Sequence, residues 1–371
     1  MQKQERVPHY PPAGLIRLFN RFRYFLLRGY RRFTSPKVTI LEMVQSFYIS
    51  RAIGVAAELN IAEFLKKGPL HYKEMAQKTH SNADALYRLL RLLASQEVFR
   101  EIKPGVFKQT KLSATLVDSP DSMRYMVLHQ TSDLNWDLFK ELSYPVKLGE
   151  PAAKKILGKD LFQHLEENEE RNERYNKAMS NTSKLASYAV ISAYNFSNCS
   201  KIVDIGGGQG VLLSVILHKW KKPTGILFDF QHVVQGSEKI FEYYNVKKRV
   251  QTIAGDFFKE IPHGGDRYLL KNILHTLNDK DCIRLLKNIR EVMDPRGRIL
   301  IIEPVIPNNN RYDFAKLFDI QMLVSREGGR ERKRAEYQKL FEKSQLQLRK
   351  MIPTAGPFSI LEVFKQEDSK K

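Results

Sequence analysis

The chain has 371 residues, 42% of them hydrophobic, enough apolar material for two ordinary cores, and this excludes disorder along its whole length. Lysine and arginine number 61 against 41 aspartates and glutamates, a net charge of +20, which raises nucleic acid or an anionic membrane as a partner. Residues 1–37 hold nine Lys or Arg and a single acid, Glu5, so that this short stretch carries +8 of the excess. Two cysteines, Cys199 and Cys282, make no disulfide framework, and no CxxC or Cys/His cluster calls for a metal, so a reducing cytoplasm is expected. No run of 18 apolar residues occurs, and the start of the chain lacks the apolar core of a secretory signal.

Leu15–Phe33 is expected to be a helix about 30 Å long. It sets Leu15, Leu18, Phe19, Phe22, Phe25 and Leu26 at helical spacing and six arginines elsewhere, too charged to span a bilayer. Two readings stand: a helix docking on a membrane surface or partner, and an arm packing on the chain's own body or on a dimer mate. From Leu41 to Val127 the pattern is helical. It closes on the alternating run VFREIKPGVFKQT, where Pro104-Gly105 marks the tip of a β-hairpin. Three helices and a hairpin give the outline of a winged helix. In it Met75, Ala76, Leu86, Leu89, Leu90 and Leu93 face the core, and Asn82 or Asp84 is the N-cap. The helix DALYRLLRLLAS is mostly leucine, which suits a buried interface and argues against a DNA-reading helix, so no nucleic acid is expected. Residues 128–195 read as polar, largely solvated helix.

After Asn198 short apolar runs alternate with amphipathic helices: KIVDI, GILFDF, VQTIAGDFF, DRYLLKN, a helix from Asp279 to Met293, and RILIIEP. This pattern predicts a parallel, doubly wound sheet. The ending LRKMIPTAGPFSILEVFK predicts an antiparallel hairpin at its edge.

The strand KIVDI runs straight into GGGQG and the helix VLLSVILHKW. Such a turn brings backbone close to a ligand at the positive end of a helix. The G-x-G-x-x-G spacing of dinucleotide folds fails, because Val211 stands where the third glycine would be. The sequence supplies Asp204-x-Gly206-x-Gly208-x-Gly210 instead. Acids beside the turn suit S-adenosylmethionine, which carries a sulfonium and an ammonium, better than an anionic pyrophosphate. Asp229 ends the second strand, where a carboxylate can take two ribose hydroxyls. Asp256 ends the third, with Phe257 beside it to lie against a purine. A purely structural role, in which Asp229 and Asp256 cap helices, is the alternative.

On these motifs the chain resembles the class I methyltransferases, and among them the O-methyltransferase family that includes hydroxyindole, plant phenol and bacterial polyketide enzymes. The resemblance runs from about Leu41 to Phe364 through SFYISRAIGVAAELNIAEFL, VDIGGGQG, FDFQHVV, AGDFF, LLKNILHTLND, IIEP and EGGRERKRAEY. It implies a Rossmann-like α/β sheet preceded by a mainly helical, winged-helix-like dimerisation domain. It further implies a homodimer, S-adenosylmethionine as cofactor, and methyl transfer to a hydroxyl of a small aromatic or polyketide-like acceptor. The domains are expected at 1–40 for the basic arm, 41–180 for dimerisation and substrate lid, and 181–371 for cofactor binding and catalysis.

Carried over residue by residue, the resemblance puts Gly206 and Gly208 at the methionine part of the cofactor, Asp229 at the ribose and Asp256 and Phe257 at the adenine. Ser183 and Lys271 lie along it. His275 becomes the general base, flanked by Glu303 and Glu331. Its chemistry is apt, since a neutral imidazole with a pKa of about 6.5 can accept the proton of a phenol whose pKa is about 10. Tyr175, Met179, Met322 and Arg326 become acceptor contacts, Arg326 pairing with an acidic acceptor or facing solvent. The family usually reads His-Asp-Trp where this chain has His275-Thr276-Leu277, so a carboxylate next to the base is missing. N- or C-methyl transfer or altered chemistry on the same fold is the alternative reading, and a winged-helix DNA-binding regulator with a ligand-sensing domain is a more distant one.

Overall fold

The computed structural model describes residues 10–119 and 122–366; the first nine residues of the basic arm lie outside the described residues. Two units emerge. One takes the chain up to Tyr24, Leu138–Asn172 and everything from Ser183 onward; the other takes Phe25–Asp137 and Glu173–Thr182. This division departs from a boundary near residue 180, because the short helix Ala152–Leu157 packs on the helix Phe314–Ser325 of the first unit.

The first unit is built on an eight-stranded sheet. Its strands are β1 (Lys201–Ile205), β2 (Thr224–Asp229), β3 (Val250–Ala254), β4 (Arg267–Lys271), β5 (Arg298–Ile306), β6 (Leu346–Pro353) and β7 (Phe358–Lys365), with Arg332–Lys333 pairing beside the end of β5. The spatial order is β6-β7-β5-β4-β1-β2-β3. β1 to β5 are parallel, whereas β7 runs antiparallel to β5 and to β6, forming the expected C-terminal hairpin.

Burial on both faces explains why β1, β2, β4 and β5 read as nearly unbroken apolar runs. Successive residues feed two cores. Val203, Ile205, Tyr268 and Leu270 join one, with Leu285 and Ile289 of the helix Asp279–Val292. Ile202, Leu227, Leu269 and Leu300 join the other, with Leu212, Leu213 and Ile216 of the helix Val211–Lys219. The helix Glu169–Ala193 is less solvated than its sequence suggests, for Ala186, Tyr188, Ala189, Val190 and Ile191 are buried. Its charged residues crowd the first turns, and the small and apolar ones after Lys184 leave a face that packs.

In the second unit Ala56, Ile61, Met75, Leu86, Leu90, Leu93, Phe99 and Phe107 form one core. Asn82 is the N-cap of the helix Ala83–Ser95, its Oδ1 accepting from the Ala85 amide at 3.0 Å. The strands Phe99–Lys103 and Val106–Gln109 form the expected hairpin, with Leu70–His71 as a third strand. At its tip Gly105 takes φ +76°, a conformation that favours glycine. Among the described residues, no helix is long and apolar enough to cross a membrane.

Candidate active site

The strand order reverses beside β1, and ligands of open α/β sheets settle at the carboxyl ends of the strands at such a point. Four expected site residues lie there together. After β1, Gly206 and Gly208 take φ +62° and +61°, left-handed values that a side chain resists. A Cβ on Gly206 would stand 2.3 Å from Ile273 Cδ1, whereas one on Gly208 would meet no atom within 4 Å, so Gly208 borders an open cradle. Asp229, at the end of β2, is tied to this turn: its Oδ2 accepts from the Gly208 amide at 2.8 Å and its Oδ1 from Phe230 at 2.7 Å. Phe257 approaches the position of a Gly206 Cβ to 4.0 Å.

Asp204 lies deeper than a ligand contact. It is enclosed beneath Gly207, whose added Cβ would stand 2.7 Å from its Cγ, and both carboxylate oxygens are buried, with the Leu213 amide favouring their ionised form. Burial pushes its pKa up to about 7, opposed by the Lys271 ammonium at the end of β4. Burial likewise lowers the pKa of Lys271, and Asp204 opposes that shift. Asp256 caps its own turn, Oδ1 accepting from the Phe258 amide at 2.9 Å. Ser183 sits half-buried, its carbonyl accepting from the Ser187 hydroxyl at 2.6 Å.

His275 sits on the short turn Leu274–Thr276 just past β4 and is buried. Groups from β5 and from residues 330–337 hold it. Its Nδ1 lies within hydrogen-bond distance of Glu331 Oε1, at 2.6 Å. Glu303, in β5, reaches main chain instead of the ring: its Oε1 accepts from the amides of Ile273 at 3.0 Å and His275 at 3.1 Å. Its Oε2 accepts from the Tyr337 hydroxyl. Arg332, fully buried, donates from Nη1 to the Leu274 carbonyl and from Nη2 to the Leu277 carbonyl, both at 2.8 Å, and pairs with Asp279. The Arg330 amide donates to the His275 carbonyl at 2.8 Å.

Burial sets the electrostatics. It pulls His275 down to about 4, the Glu303 charge opposing, so the ring is neutral at physiological pH. It pushes Glu331 up to about 8, with Asp319 adding to the shift and Arg332 opposing it. Among the described residues Nε2 of His275 has no partner. In place of the family's adjacent carboxylate, Thr276 donates its hydroxyl to the Ile273 carbonyl at 2.8 Å.

The acceptor residues divide. Met322 and Arg326 belong to the first unit, Tyr175 and Met179 to the second, where Tyr175 meets the His129 ring edge-on at 5.3 Å. Arg326 does not face solvent. Its side chain is 5% exposed, donates to Asp160 at 3.0 Å and lies 3.2 Å from the Phe162 ring centre. The roles of Arg332, Tyr337 and Asp319 were not read from sequence; Arg332 and Tyr337 lie in the run EGGRERKRAEY, where nothing sets them apart from surface charge and a core aromatic.

An open glycine cradle with a carboxylate at the next strand end, and a buried neutral histidine after the adjacent strand β4, suit a class I methyltransferase. The donor set fits S-adenosylmethionine: a left-handed glycine with free space before it, acids for cationic and hydroxyl groups, and no basic side chain in the turn. Residues 139–346 match the O-methyltransferase domain and residues 41–119 the O-methyltransferase dimerisation domain. The chain belongs to this O-methyltransferase family and is an S-adenosylmethionine-dependent O-methyltransferase. It is 37% identical over 324 residues to a phenazine O-methyltransferase of Lysobacter antibioticus, covering 87% of this chain and 94% of that one. It is 33% identical to a mitomycin biosynthesis 6-O-methyltransferase of Streptomyces lavendulae, covering 88% and 93%. A solved calicheamicin-biosynthesis methyltransferase in S-adenosylhomocysteine-bound form superposes with a TM-score of 0.80 at 31% identity, covering 90% and 99%.

Proposed function

We propose that the chain methylates a hydroxyl on a small, flat aromatic or polyketide-like acceptor, with His275 as general base. The observation that carries the reading is the 2.6 Å contact between His275 Nδ1 and buried Glu331 on a turn pinned through its main chain. With Glu331 ionised, Nδ1 holds the proton and Nε2 is left as the acceptor of another. Acceptors of ring character are supported by relatives named for phenazine, mitomycin and 3-amino-4-hydroxybenzoate.

When bound, S-adenosylmethionine supplies an electrophilic methyl already activated by its sulfonium. The chain's own work is alignment and one proton. Gly206, Gly208 and Asp229 would hold the methionine and ribose parts, Asp256 and Phe257 the adenine, and Ser183 and Lys271 its flank, with Asp204 supporting the turn from below. Tyr175, Met179, Met322 and Arg326 would position the acceptor ring. His275 Nε2 takes the hydroxyl proton as the oxygen becomes nucleophilic, and Glu331 stabilises the imidazolium. Alignment is worth about 7–11 kcal/mol and the proton transfer about 10²–10⁴ in rate.

The same reading makes the protein a homodimer. The dimerisation domain supports it, as does the helix Pro36–Glu58, whose first turns expose Ile40, Met43, Val44 and Phe47. The outline of that domain suits a winged-helix-like arrangement, and two buried free cysteines suit a cytoplasmic setting.

The test is methyl transfer from labelled S-adenosylmethionine to a panel of phenols, hydroxynaphthalenes and aminohydroxybenzoates, by the wild type and by His275→Ala. Turnover is expected to fall by about 10²–10⁴, while calorimetric S-adenosylhomocysteine affinity stays within about twofold. Equal turnover in the variant removes the base and leaves alignment alone.

A further inference from the structure

We propose that the helix Ala13–Phe33 is a membrane-surface anchor that seats the enzyme on anionic lipid. The helix contains six arginines and no acid, and it lies wholly before the dimerisation domain that begins at residue 41. At 3.6 residues per turn, Leu15, Leu18, Phe19, Phe22, Phe25 and Leu26 fall within an arc of about 120°. These six are 44–69% exposed, and the helix buries no residue at all. All six arginines lie outside that arc and are exposed. A helix with one apolar face and a cationic, acid-free remainder lies in the headgroup plane of a bilayer, its apolar side chains down and its cations among lipid phosphates.

The next helix shows why the occupant is lipid and not a second copy. In Pro36–Glu58 the exposed apolar residues Val38, Ile40, Leu41, Met43, Val44 and Phe47 spread around most of the circumference, with few charges between them. Apolar on nearly every side, such a helix wants protein around it. Ala13–Phe33 instead keeps its arginines off the apolar arc, and they would meet like charges in a symmetric pairing of the same helix. Charge complementarity favours a surface that is negative everywhere.

The test uses the full chain and co-sedimentation with vesicles of phosphatidylcholine containing about one third phosphatidylserine, against phosphatidylcholine alone. The wild type is expected to sediment with the anionic vesicles and to lose roughly tenfold or more in partitioning without phosphatidylserine or at high salt. Phe22→Glu/Phe25→Glu should abolish the binding, and Arg21→Gln/Arg28→Gln should weaken it roughly tenfold or more. S-adenosylhomocysteine affinity equal to the wild type's separates a lost surface from misfolding. No sedimentation of the wild type, or binding indifferent to both variants, overturns the proposal. So does a Phe22→Glu/Phe25→Glu protein that still binds vesicles but becomes monomeric by light scattering, since the face would then belong to a second copy.

Discussion

The turn after β1 and the turn after β4 leave adjacent strands of the same sheet, and they are built by opposite means. The first owes its shape to backbone: Gly206, Gly208 and Gly210 all take positive φ, and one carboxylate, Asp229, ties the middle amide. The second contains no glycine. Asn272 takes φ +59° and the following residues are held by Glu303, Glu331, Arg332 and Tyr337, which arrive from β5 and from the segment 331–337. A cradle made of backbone is local and electrically simple. A base made by tertiary contacts is sensitive to every buried charge around it, and variants should separate the two behaviours.

Among variants that keep the histidine, the largest effect is expected at Glu331. A carboxylate can only accept from Nδ1, whereas the amide of Glu331→Gln can donate, which places the proton on Nε2 and removes the base. Turnover should fall roughly 10²-fold with S-adenosylhomocysteine affinity unchanged. The pH profile carries the same information. Glu331 has a folded pKa raised to about 8, so below that pH it keeps its proton and donates to Nδ1, leaving Nε2 protonated. The rate should climb about tenfold per pH unit to a plateau above about 8, and Glu331→Gln should lack that limb. Stability runs the other way, because a raised carboxyl contributes fully below its unfolded value and loses the contribution as pH rises through about 8. His275, lowered to about 4, contributes above its unfolded value, a contribution lost as pH falls towards 4. A wild-type rate that is flat from about pH 6 to 9 would show that Glu331 is ionised throughout.

The contrast also explains what could be read from sequence. Strand, glycine turn and helix are contiguous, so GGGQG after KIVDI sufficed to place the cradle, and Asp229 followed from the next strand end. His275 and Glu331 are 56 residues apart in the chain and meet only in the fold. The resemblance named both, yet the placing of Glu303 on amides, and the whole role of Arg332, depend on tertiary packing. A buried arginine in the run RERKR has the same local pattern as a solvated one. Arg326 is open between acceptor and solvent in the sequence for the same reason; in the fold it is buried and pairs with Asp160, 166 residues away.

Within the cradle the two glycines should respond differently to alanine. Both sit at positive φ, so each loses about 1–2 kcal/mol of stability. At Gly206 the new Cβ also collides with Ile273, and the melting temperature should drop further. At Gly208 it meets nothing of the protein, so the additional penalty falls on the ligand. Calorimetry should show roughly tenfold weaker S-adenosylhomocysteine binding by Gly208→Ala, with the position of the pH limb unmoved. Unchanged affinity would mean that the open space before Gly208 is not where the ligand lies.

The smallest effect is expected at Tyr337, and it tests whether Glu303 acts on the main chain alone. Tyr337→Phe removes the hydroxyl that Glu303 Oε2 accepts from and leaves that oxygen buried without a donor, at a cost of about 1–3 kcal/mol in stability. Glu303 Oε1 keeps the amides of Ile273 and His275, so the turn stays in place and the Nδ1 contact with Glu331 is untouched. Turnover should therefore fall only a few-fold, with KM and the pH limb where they were. If Tyr337→Phe instead matched the loss in Glu331→Gln, Glu303 would be controlling the proton on the ring, and the division between a carboxylate for the backbone and a carboxylate for the imidazole would fail.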